Sequence, residues 1–280
     1  MPTDDELPAL QAFLDAHPRL FVLTGAGVSI ASGIPGYRDL DGAWQRPPPV
    51  QYRDYLDHAH TRRRFWARSL AGWRWFSQAR PNAGHTALAA WEAAGRISQL
   101  TTQNVDRLHQ AAGSRKVIDL HGRLDQVVCL DCGTHHARAA IQHRLVELNP
   151  ACEAGPATIA PDGDAELDTA GLDDFAVPDC PSCGGLLKPD VVFFGEQIPH
   201  ARVEGAVQAL LEADALLVIG SSLMVYSGYR FCRLAAEHRI PSAAINLGRT
   251  RADDLLGLKV SARFEDLIDR LDVTAGPGPG

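Results

Sequence analysis

Four of the six cysteines in this 280-residue chain occur as two C-x-x-C pairs. The pairs are Cys129 with Cys132, and Cys180 with Cys183. Each C-x-x-C turn brings two thiolates to one metal ion, and two turns complete a tetrahedral shell. Because that shell leaves no open coordination position, the pattern predicts a structural zinc ion. A redox dithiol is the competing interpretation, and His135 and His136 are alternative ligands for which a surface position is favoured.

A glycine loop supplies a second kind of chemistry. GAGVSIASGIPGYRD, residues 25–39, directly follows the apolar stretch RLFVLT. Backbone N–H groups at such a turn are suited to holding a phosphate. The dinucleotide pattern G-x-G-x-x-G fails, however, because its third glycine position is Ile30, and Pro35 prevents a regular helix from continuing. The loop therefore predicts a phosphate-bearing ligand bound in an unusual way.

Polar side chains also follow other apolar stretches. Gln103, Asn104 and Asp106 follow RISQLTT, His121 follows KVIDL, and small polar groups follow ALLVI and SAAI, in GSSL and NLG. The carboxyl ends of parallel strands meet at one sheet edge, where ligands bind. Helix capping explains one such residue, and a lone histidine at a strand end is usually structural. Five polar strand ends together predict an extended polar ligand, with the imidazole available to accept a proton.

The elements that must position these residues alternate along the chain. Apolar stretches of strand length lie at 19–24, 96–102, 116–120, 215–220 and 242–247. Amphipathic segments lie around 61–77, 84–94, 201–212 and 226–238. Strands that are apolar throughout are typical of sheets buried on both faces. The order predicts an α/β fold, a Rossmann-like parallel sheet with helices on both faces.

Two stretches interrupt this alternation. Residues 41–80 contain three consecutive prolines and an Arg/aromatic-rich segment, which predicts a helical insertion. Residues 123–190 contain the cysteine pairs and predict a small inserted zinc-binding domain, with an Asp/Gly/Pro-rich excursion between the pairs. The Rossmann-like sheet domain then comprises 1–122 and 191–274, and 275–280 is expected to be a flexible tail.

Composition excludes several classes of protein. The formal net charge is −7, which disfavours non-specific binding to nucleic acid or to an anionic membrane. No apolar run approaches the roughly 20 residues of a membrane helix, and the acidic start MPTDDELPAL lacks a targeting pattern. We therefore expect a cytoplasmic protein without nucleic-acid or membrane partners.

The ordered motifs resemble those of the sirtuins. GAGVSIASGIPGYR, TQNVDRLH, LHG, the two C-x-x-C pairs, KPDVVFFGE, GSSLMVYS and INLG occur in the family's order and approximate spacing, from about residue 20 to 270. The chain is most similar to the class II group that includes a mitochondrial human sirtuin. One departure is Gly36, which replaces an aspartate common in the family. The resemblance implies an NAD-dependent protein-lysine deacylase of deacetylase type.

The resemblance also implies site residues. NAD is expected to contact Gly25, Ala26, Gly27, Ser29, Ile34, Pro35, Tyr37, Arg38, Trp44, Gln103, Asn104, Asp106, Gly220, Ser221, Ser222, Asn246, Leu247, Gly248 and Phe264. The acylated lysine of a protein or peptide is expected at Phe65, Arg68, Val192, Phe193, Gly195 and Val225. His121 is the expected general base and Asn104 a further catalytic residue. The products implied are nicotinamide, free lysine and 2′-O-acyl-ADP-ribose.

Two other functions stay open on the sequence. Mono-ADP-ribosyl transfer would use the same NAD site and His121, and an NAD-sensing zinc-ribbon module would bind NAD without cleaving it. For the acyl pocket, Phe65 and Arg68 align with the Tyr-x-x-Arg pair of sirtuins that remove succinyl groups. At i and i+3 of a helix both side chains are expected to face one pocket, with Phe65 unable to donate a hydrogen bond. Packing of this helix on a core is the alternative.

Overall fold

The computed structural model describes residues 6–45, 49–152, 158–159, 165–166 and 172–273. Eleven strands occur in these ranges. In chain order they are β1 (Leu20–Thr24), β2 (Ile97–Thr102), β3 (Val117–Asp119), β4 (Gly122–Cys129), β5 (His135–Ala137), β6 (Thr158–Ile159), β7 (Ala165–Glu166), β8 (Leu187–Val191), β9 (Ala215–Ile219), β10 (Ser242–Ile245) and β11 (Leu258–Val260). The α-helices are α1 (Glu6–Ala16), α2 (Tyr52–Asp57), α3 (Ala59–Phe76), α4 (Ala83–Ala93), α5 (Leu108–Ala111), α6 (Arg138–Leu148), α7 (His200–Leu211) and α8 (Tyr226–Glu237).

Six strands form one parallel sheet in the order β11-β10-β9-β1-β2-β3. The chain moves outward from β1 through β2 to β3, returns to β9, and then moves outward in the other direction. This is the strand order of a Rossmann-like sheet, and it leaves a crevice between β1 and β9 where the direction reverses. The five predicted strands of the sheet are confirmed, whereas β11 at the edge was not predicted.

Helices cover both faces of the sheet, as predicted. On one face Leu10 of α1 and Leu88 of α4 pack with Val22 in an apolar core. On the other face Leu210 of α7 and Phe231 of α8 pack around β1 and β9. All residues of β1 and β9 are buried. Burial on both sides explains why these strands are apolar throughout instead of alternating.

The two insertions pack against each other. β5, β4 and β8 form an antiparallel sheet beside the cysteine pairs, and α3 and α6 lie against it. The fully buried guanidinium of Arg138 on α6 lies 5.5 Å from the Trp66 ring and 4.9 Å from the Trp73 ring, both on α3. It also donates a hydrogen bond to the carbonyl of Ser69. The helical insertion and the cysteine-bearing insertion therefore share one core.

Several sequence expectations fall on residues that the structure leaves undescribed. These are the tail at 275–280, most of the Asp/Gly/Pro-rich stretch, and Pro47 and Pro48 of the proline turn. Among the described helices, none combines the length and apolar character that a membrane span requires.

Candidate active site and metal centre

The glycine loop passes very close to the end of β9. The backbone N–H of Gly25 donates to the carbonyl of Ile219 at 3.1 Å, and that of Gly27 donates to the carbonyl of Gly220 at 2.8 Å. A Cβ atom on Gly27 would lie 2.7 Å from the Cα of Gly220, so no side chain fits there. The loop continues as a 3-10 helix, Ala26–Ser32, which ends at Gly33. This confirms that no long helix follows the strand.

A cleft of about 940 Å³ opens above this contact, at the crevice between β1 and β9. Most of the residues expected to contact NAD line it. These are Gly25, Ala26, Gly27, Tyr37, Arg38, Trp44, Gln103, Asn104, Gly220, Ser221, Ser222, Asn246, Leu247, Gly248 and Phe264. His121 and the expected substrate residues Phe65, Val192, Phe193, Gly195 and Val225 line the same cleft. The structure thus brings the cofactor residues and the substrate residues together.

Two expected NAD residues, Ser29 and Asp106, lie beneath the cleft and not on its wall. Ser29 is buried, and its hydroxyl donates to the Asp106 carboxylate at 2.6 Å. The side-chain amide of Asn104 donates to the Ser29 hydroxyl at 3.0 Å and to the Gly25 carbonyl at 3.1 Å. Asp106 also accepts the N–H of Leu108, the first residue of α5, and its burial raises its pKa. These residues hold the glycine loop in place from below.

Ile34 and Pro35 also fall outside the cleft lining. Ile34 is buried in a small apolar cluster with Phe76, Leu108 and Leu124. Leu124 of this cluster lines the cleft, so Ile34 lies directly behind the cleft wall, and its contact with nicotinamide stays a prediction.

His121 follows β3, and both of its ring nitrogens have partners. Nδ1 lies 2.9 Å from the backbone carbonyl of Gln103, and Nε2 lies 2.7 Å from the hydroxyl of Ser227. A carbonyl only accepts, so Nδ1 carries the proton and Nε2 has the free lone pair. Burial, with a smaller contribution from Arg230 and Arg202, lowers the pKa of His121 to about 4. The ring is therefore neutral at pH 7, with its basic nitrogen on the cleft wall.

Ser227 is a site residue that sequence reasoning missed. It lies on α8, whereas His121 follows β3, and only the packing of α8 on the sheet brings the two together. Its signal in the sequence was its position at the end of the quoted motif GSSLMVYS, where no pattern of spacing connected it to the histidine.

The segment after β9 is fixed to Gln103. The hydroxyl of Ser221 donates to the side-chain oxygen of Gln103 at 2.6 Å and accepts the N–H of Leu223 at 3.2 Å. Leu223 is buried at a φ of 57°, a left-handed conformation that is uncommon for residues other than glycine. Such strain persists where the surroundings hold the backbone, and here the backbone forms one wall of the cleft.

Aromatic rings and one arginine form the rim beside the glycine loop. The guanidinium of Arg38 lies 4.0 Å from the centre of the Trp44 ring and donates to the Gly42 carbonyl at 2.8 Å. Trp44 also contacts Tyr37, with ring centres 6.2 Å apart. At Gly36 a Cβ atom would meet its nearest neighbours at 3.7 Å, which is ordinary van der Waals contact, so the backbone here does not require glycine.

The segment after β8 connects His121 to the side of the cleft where the substrate is expected. The N–H of Val192 donates to the backbone carbonyl of His121 at 2.8 Å. The Glu196 carboxylate accepts the N–H of Phe193 at 2.8 Å and forms an ion pair with Lys188 at 3.1 Å. Gly195 adopts a φ of 78° at the turn between them. Residues 192–195 are therefore held as a short, rigid edge of the cleft.

The expected acyl residues Phe65 and Arg68 occupy different positions on α3. Phe65 lines the cleft and packs against Phe193 and Tyr55, with ring centres 5.2 Å and 5.5 Å away. Arg68 is half-buried and lies outside the cleft lining in the described structure. Side chains at i and i+3 lie on the same side of a helix, so a shared pocket wall for Phe65 and Arg68 stays a prediction.

The four paired cysteines converge on one point. The sulfur atoms of Cys129, Cys132, Cys180 and Cys183 all lie within 4.8 Å of one another. Gly133 and Gly184 adopt φ values of 71° and 75° in the two turns, where glycine is favoured. Four sulfurs about 2.3 Å from a central ion fit these separations, so the residues form a structural zinc site.

A histidine lies beside this cluster without completing it. His136 Nε2 is 3.4 Å from the sulfur of Cys180, close enough to donate to it. His135 is turned away, 3.8 Å from Asp190. The cysteines therefore supply the whole shell, and His136 fits the role of a hydrogen-bond partner to a thiolate.

Comparisons with known proteins agree with this geometry. Residues 25–227 match the model of the Sir2 family. A protein from Xanthomonas campestris pv. campestris (strain 8004), named NAD-dependent protein deacetylase, is 60% identical over 253 residues, which cover 90% of this chain and 86% of that protein. The human protein named NAD-dependent protein lipoamidase sirtuin-4, mitochondrial, is 46% identical over 97% of this chain and 88% of its own.

A solved structure described as Sir2–p53 peptide–NAD+ is also similar, with a TM-score of 0.72 and 29% identity over 95% of this chain and 96% of that one. The family model spans most of the chain, and the identities extend over nearly all of it. The predicted resemblance, including its closeness to the group with the mitochondrial human protein, is confirmed. The chain belongs to the Sir2 family of NAD-dependent protein deacetylases.

Proposed function

We propose that the chain transfers acetyl and related acyl groups from lysine side chains of proteins to NAD, with His121 as the general base. The observation that carries this proposal is the geometry of His121. Its ring is neutral, its protonated nitrogen is fixed by the Gln103 carbonyl, and its basic nitrogen faces the cleft. A base in this state accepts a proton at neutral pH without first having to lose one.

The cleft fits NAD at the positions expected for its phosphates. The close approach of Gly25 and Gly27 to Gly220 exposes backbone at the point where a Rossmann-like sheet binds a pyrophosphate. Asn246 and Phe264 line the cleft beyond β10, where the adenosine half would lie. When bound, NAD supplies an activated ribose carbon and the hydroxyl that receives the acyl group.

Ser227 orients the base on its free side. Because the Ser227 hydroxyl lies 2.7 Å from His121 Nε2, it donates a hydrogen bond to the lone pair when no substrate is present. His121 Nε2 would be the acceptor for a ribose hydroxyl of bound NAD, in the position that the Ser227 hydroxyl occupies here. The Gln103 carbonyl keeps the tautomer unchanged while Nε2 takes up the proton.

The substrate is a protein segment in extended conformation that carries the acylated lysine. Residues 192–195 and 223–226 border the cleft on opposite sides, and an extended peptide between them forms main-chain hydrogen bonds to both. The p53 peptide and NAD+ in the similar solved structure support a peptide and NAD bound together. Acetylated peptides are therefore the first substrates to test.

The wall of the acyl site is apolar and aromatic. Phe65 and Phe193 line the cleft, with the buried Tyr55 packed edge to face behind them, and Phe65 aligns with the hydroxyl-bearing tyrosine of the succinyl-removing pattern. The human relative is named a lipoamidase, which supports long, apolar acyl groups as further substrates. We infer that acyl chains ending in a carboxylate are used poorly.

The test measures nicotinamide release with and without an acetyl-lysine peptide. Release that requires the peptide, together with loss of the acetyl group, supports the proposal. Release that does not require it, with ADP-ribose on a protein, indicates ADP-ribosyl transfer instead. NAD binding without nicotinamide release indicates a sensing module.

The variant His121→Ala tests the role of the base. We expect kcat to fall about 10²–10⁴-fold while the affinity for NAD changes little. The matched control is His143→Gln, which changes an exposed histidine on α6 and should leave the rate unchanged. A rate for His121→Ala within a few-fold of wild type would overturn the assignment.

A further inference from the structure

Two buried histidines lie next to each other under the glycine loop and outside the cleft. His85 on α4 and His109 on α5 are 0% and 1% exposed, and their ring centres are 4.8 Å apart. Each ring has one nitrogen with a partner, whereas His85 Nε2 and His109 Nδ1 are buried without a partner among the described residues. Buried polar atoms in proteins are nearly always hydrogen-bonded, so this pair requires an explanation.

The known partners assign a tautomer to each ring. The hydroxyl of Thr24 donates to the Thr102 hydroxyl at 2.9 Å, so its oxygen accepts from His109 Nε2, also 2.9 Å away. The backbone N–H of Asn82 donates to His85 Nδ1 at 3.3 Å. Burial lowers the pKa of His85 to about 4 and that of His109 to about 3, so both rings are neutral at pH 7.

It follows that both rings carry their proton on Nε2. His85 Nε2–H is then a donor, and His109 Nδ1 is an acceptor. Two neighbouring buried rings therefore present one free donor and one free acceptor, which is the complementary combination. The opposite tautomer of either ring would lose its known partner and would leave two like groups facing each other.

We propose that His85 donates to His109, directly or through one bridging water, and that the pair connects Asn82 to Asn104 as a continuous hydrogen-bonded chain that positions the NAD-binding loop. The chain runs from Asn82 through His85, His109, Thr24 and Thr102, and the Thr102 hydroxyl accepts the backbone N–H of Asn104 at 3.1 Å. From Asn82 to Thr102 each donor points towards Thr102, and the N–H of Asn104 donates to the same Thr102 hydroxyl from the other side.

Both ends of the chain hold the same loop. The Asn82 side chain donates to the Val28 carbonyl at 2.8 Å and to the Ser32 hydroxyl at 2.9 Å. The Asn104 side chain holds Gly25 and Ser29 at the start of the loop. The histidine pair thus keeps these two clamps at a constant separation, and His85 and His109 are positioning residues for NAD.

The structural part of this inference is tested on the full chain without NAD, so it does not depend on the proposed function. Long-range ¹H–¹⁵N spectra of ¹⁵N-histidine-labelled protein at pH 7 should show His85 and His109 as neutral Nε2–H tautomers. In the variant His85→Leu the His109 Nδ1 resonance should move towards the value of an acceptor without a partner. A protonated Nδ1 on His109, or no change in that variant, would overturn the proposed bond.

The positioning role is tested by the KM for NAD and by kcat. The variant His109→Leu should raise the KM for NAD about three- to tenfold with a smaller change in kcat, because one neutral hydrogen bond in the chain is lost. His109→Gln keeps a donor towards Thr24 and should restore the KM to within about twofold. This rescue would not occur if the ring served only to fill space.

A double-mutant cycle then tests the connection to Thr24. Thr24→Val interrupts the same chain, so adding it to His109→Leu should raise the KM no further than the larger single change. Fully additive effects, or a folded His109→Leu protein with an unchanged KM for NAD, would contradict the positioning role. If His109→Leu does not fold, His109→Gln and Thr24→Val carry the comparison.

Discussion

Acidification should destabilise this protein through the buried His85 and His109 and the half-buried His121. Burial lowers the pKa of His85 and His121 to about 4 and that of His109 to about 3, from an ordinary value of 6.5. As the pH falls below 6.5, the unfolded chain binds protons that the native state excludes. The free energy of unfolding therefore decreases until the pH approaches 4, where the native rings also become protonated.

The size of the effect follows from these values. At pH 5, which is about 1.5 units below the pKa of an unfolded histidine, each ring contributes a loss of about 2 kcal/mol at 1.36 kcal/mol per unit. Three rings give about 6 kcal/mol, a large part of the 5–15 kcal/mol by which domains are typically stable. Burial raises the pKa of Asp106 and Asp119, and these carboxyls oppose the loss to some extent.

The measurement is urea unfolding at pH 7.5 and pH 5 at constant ionic strength, for the wild type and for the double variant His85→Leu/His109→Leu. The double variant should lose about 4 kcal/mol less on acidification, since two of the three rings are gone. Zinc release at low pH affects both proteins equally and cancels in the comparison. The variant His143→Gln should behave as the wild type. Equal acid losses in the wild type and the double variant would refute the reasoning.

Three other changes have expected outcomes. Gly27→Ala should raise the KM for NAD more than about tenfold, because its Cβ would lie 2.7 Å from the Gly220 backbone. The control Gly36→Ala, whose Cβ would have its nearest contacts at 3.7 Å, should leave the KM within about twofold. Equal effects of the two variants would contradict the argument that Gly27 approaches Gly220 too closely for a side chain. Elemental analysis should find about one zinc per chain. Cys129→Ser should lose the metal and unfold the small antiparallel sheet. Active protein without bound metal would disprove the structural zinc site. Succinyl-lysine should be a poorer substrate than acetyl-lysine. Phe65→Tyr should improve the rate with succinyl-lysine, relative to acetyl-lysine, about tenfold by restoring a hydrogen-bond donor. Succinyl-lysine as the best substrate of the wild type would contradict the apolar wall proposed for the acyl site.

The local chemistry of the chain was largely predictable from the sequence. Apolar stretches with polar residues at their carboxyl ends predicted the parallel sheet, because strands buried on both faces must be apolar throughout. The C-x-x-C turns predicted the metal centre, since the reach of two thiolates in one turn is set by local backbone geometry. Pro35 correctly indicated that no regular helix continues through the loop, which forms only a 3-10 helix, Ala26–Ser32.

Contacts between distant segments were decided only by the tertiary structure. Ser227 lies beside His121 because α8 packs on the sheet, and Ile34 packs with Leu124 directly behind the cleft wall. No pattern of spacing along the sequence indicates that such distant residues are in contact.

The histidine pair shows most clearly which features the sequence determines and which ones only the tertiary structure decides. The sequence by itself determines that His85 and His109 lie in or near helical segments, and it determines the strand ends that carry Thr24 and Thr102. Only the folded sheet places the two rings side by side and removes them from water, which makes both neutral and selects their tautomers. Burial and long-range packing, which depend on the whole chain at once, are what local patterns do not encode.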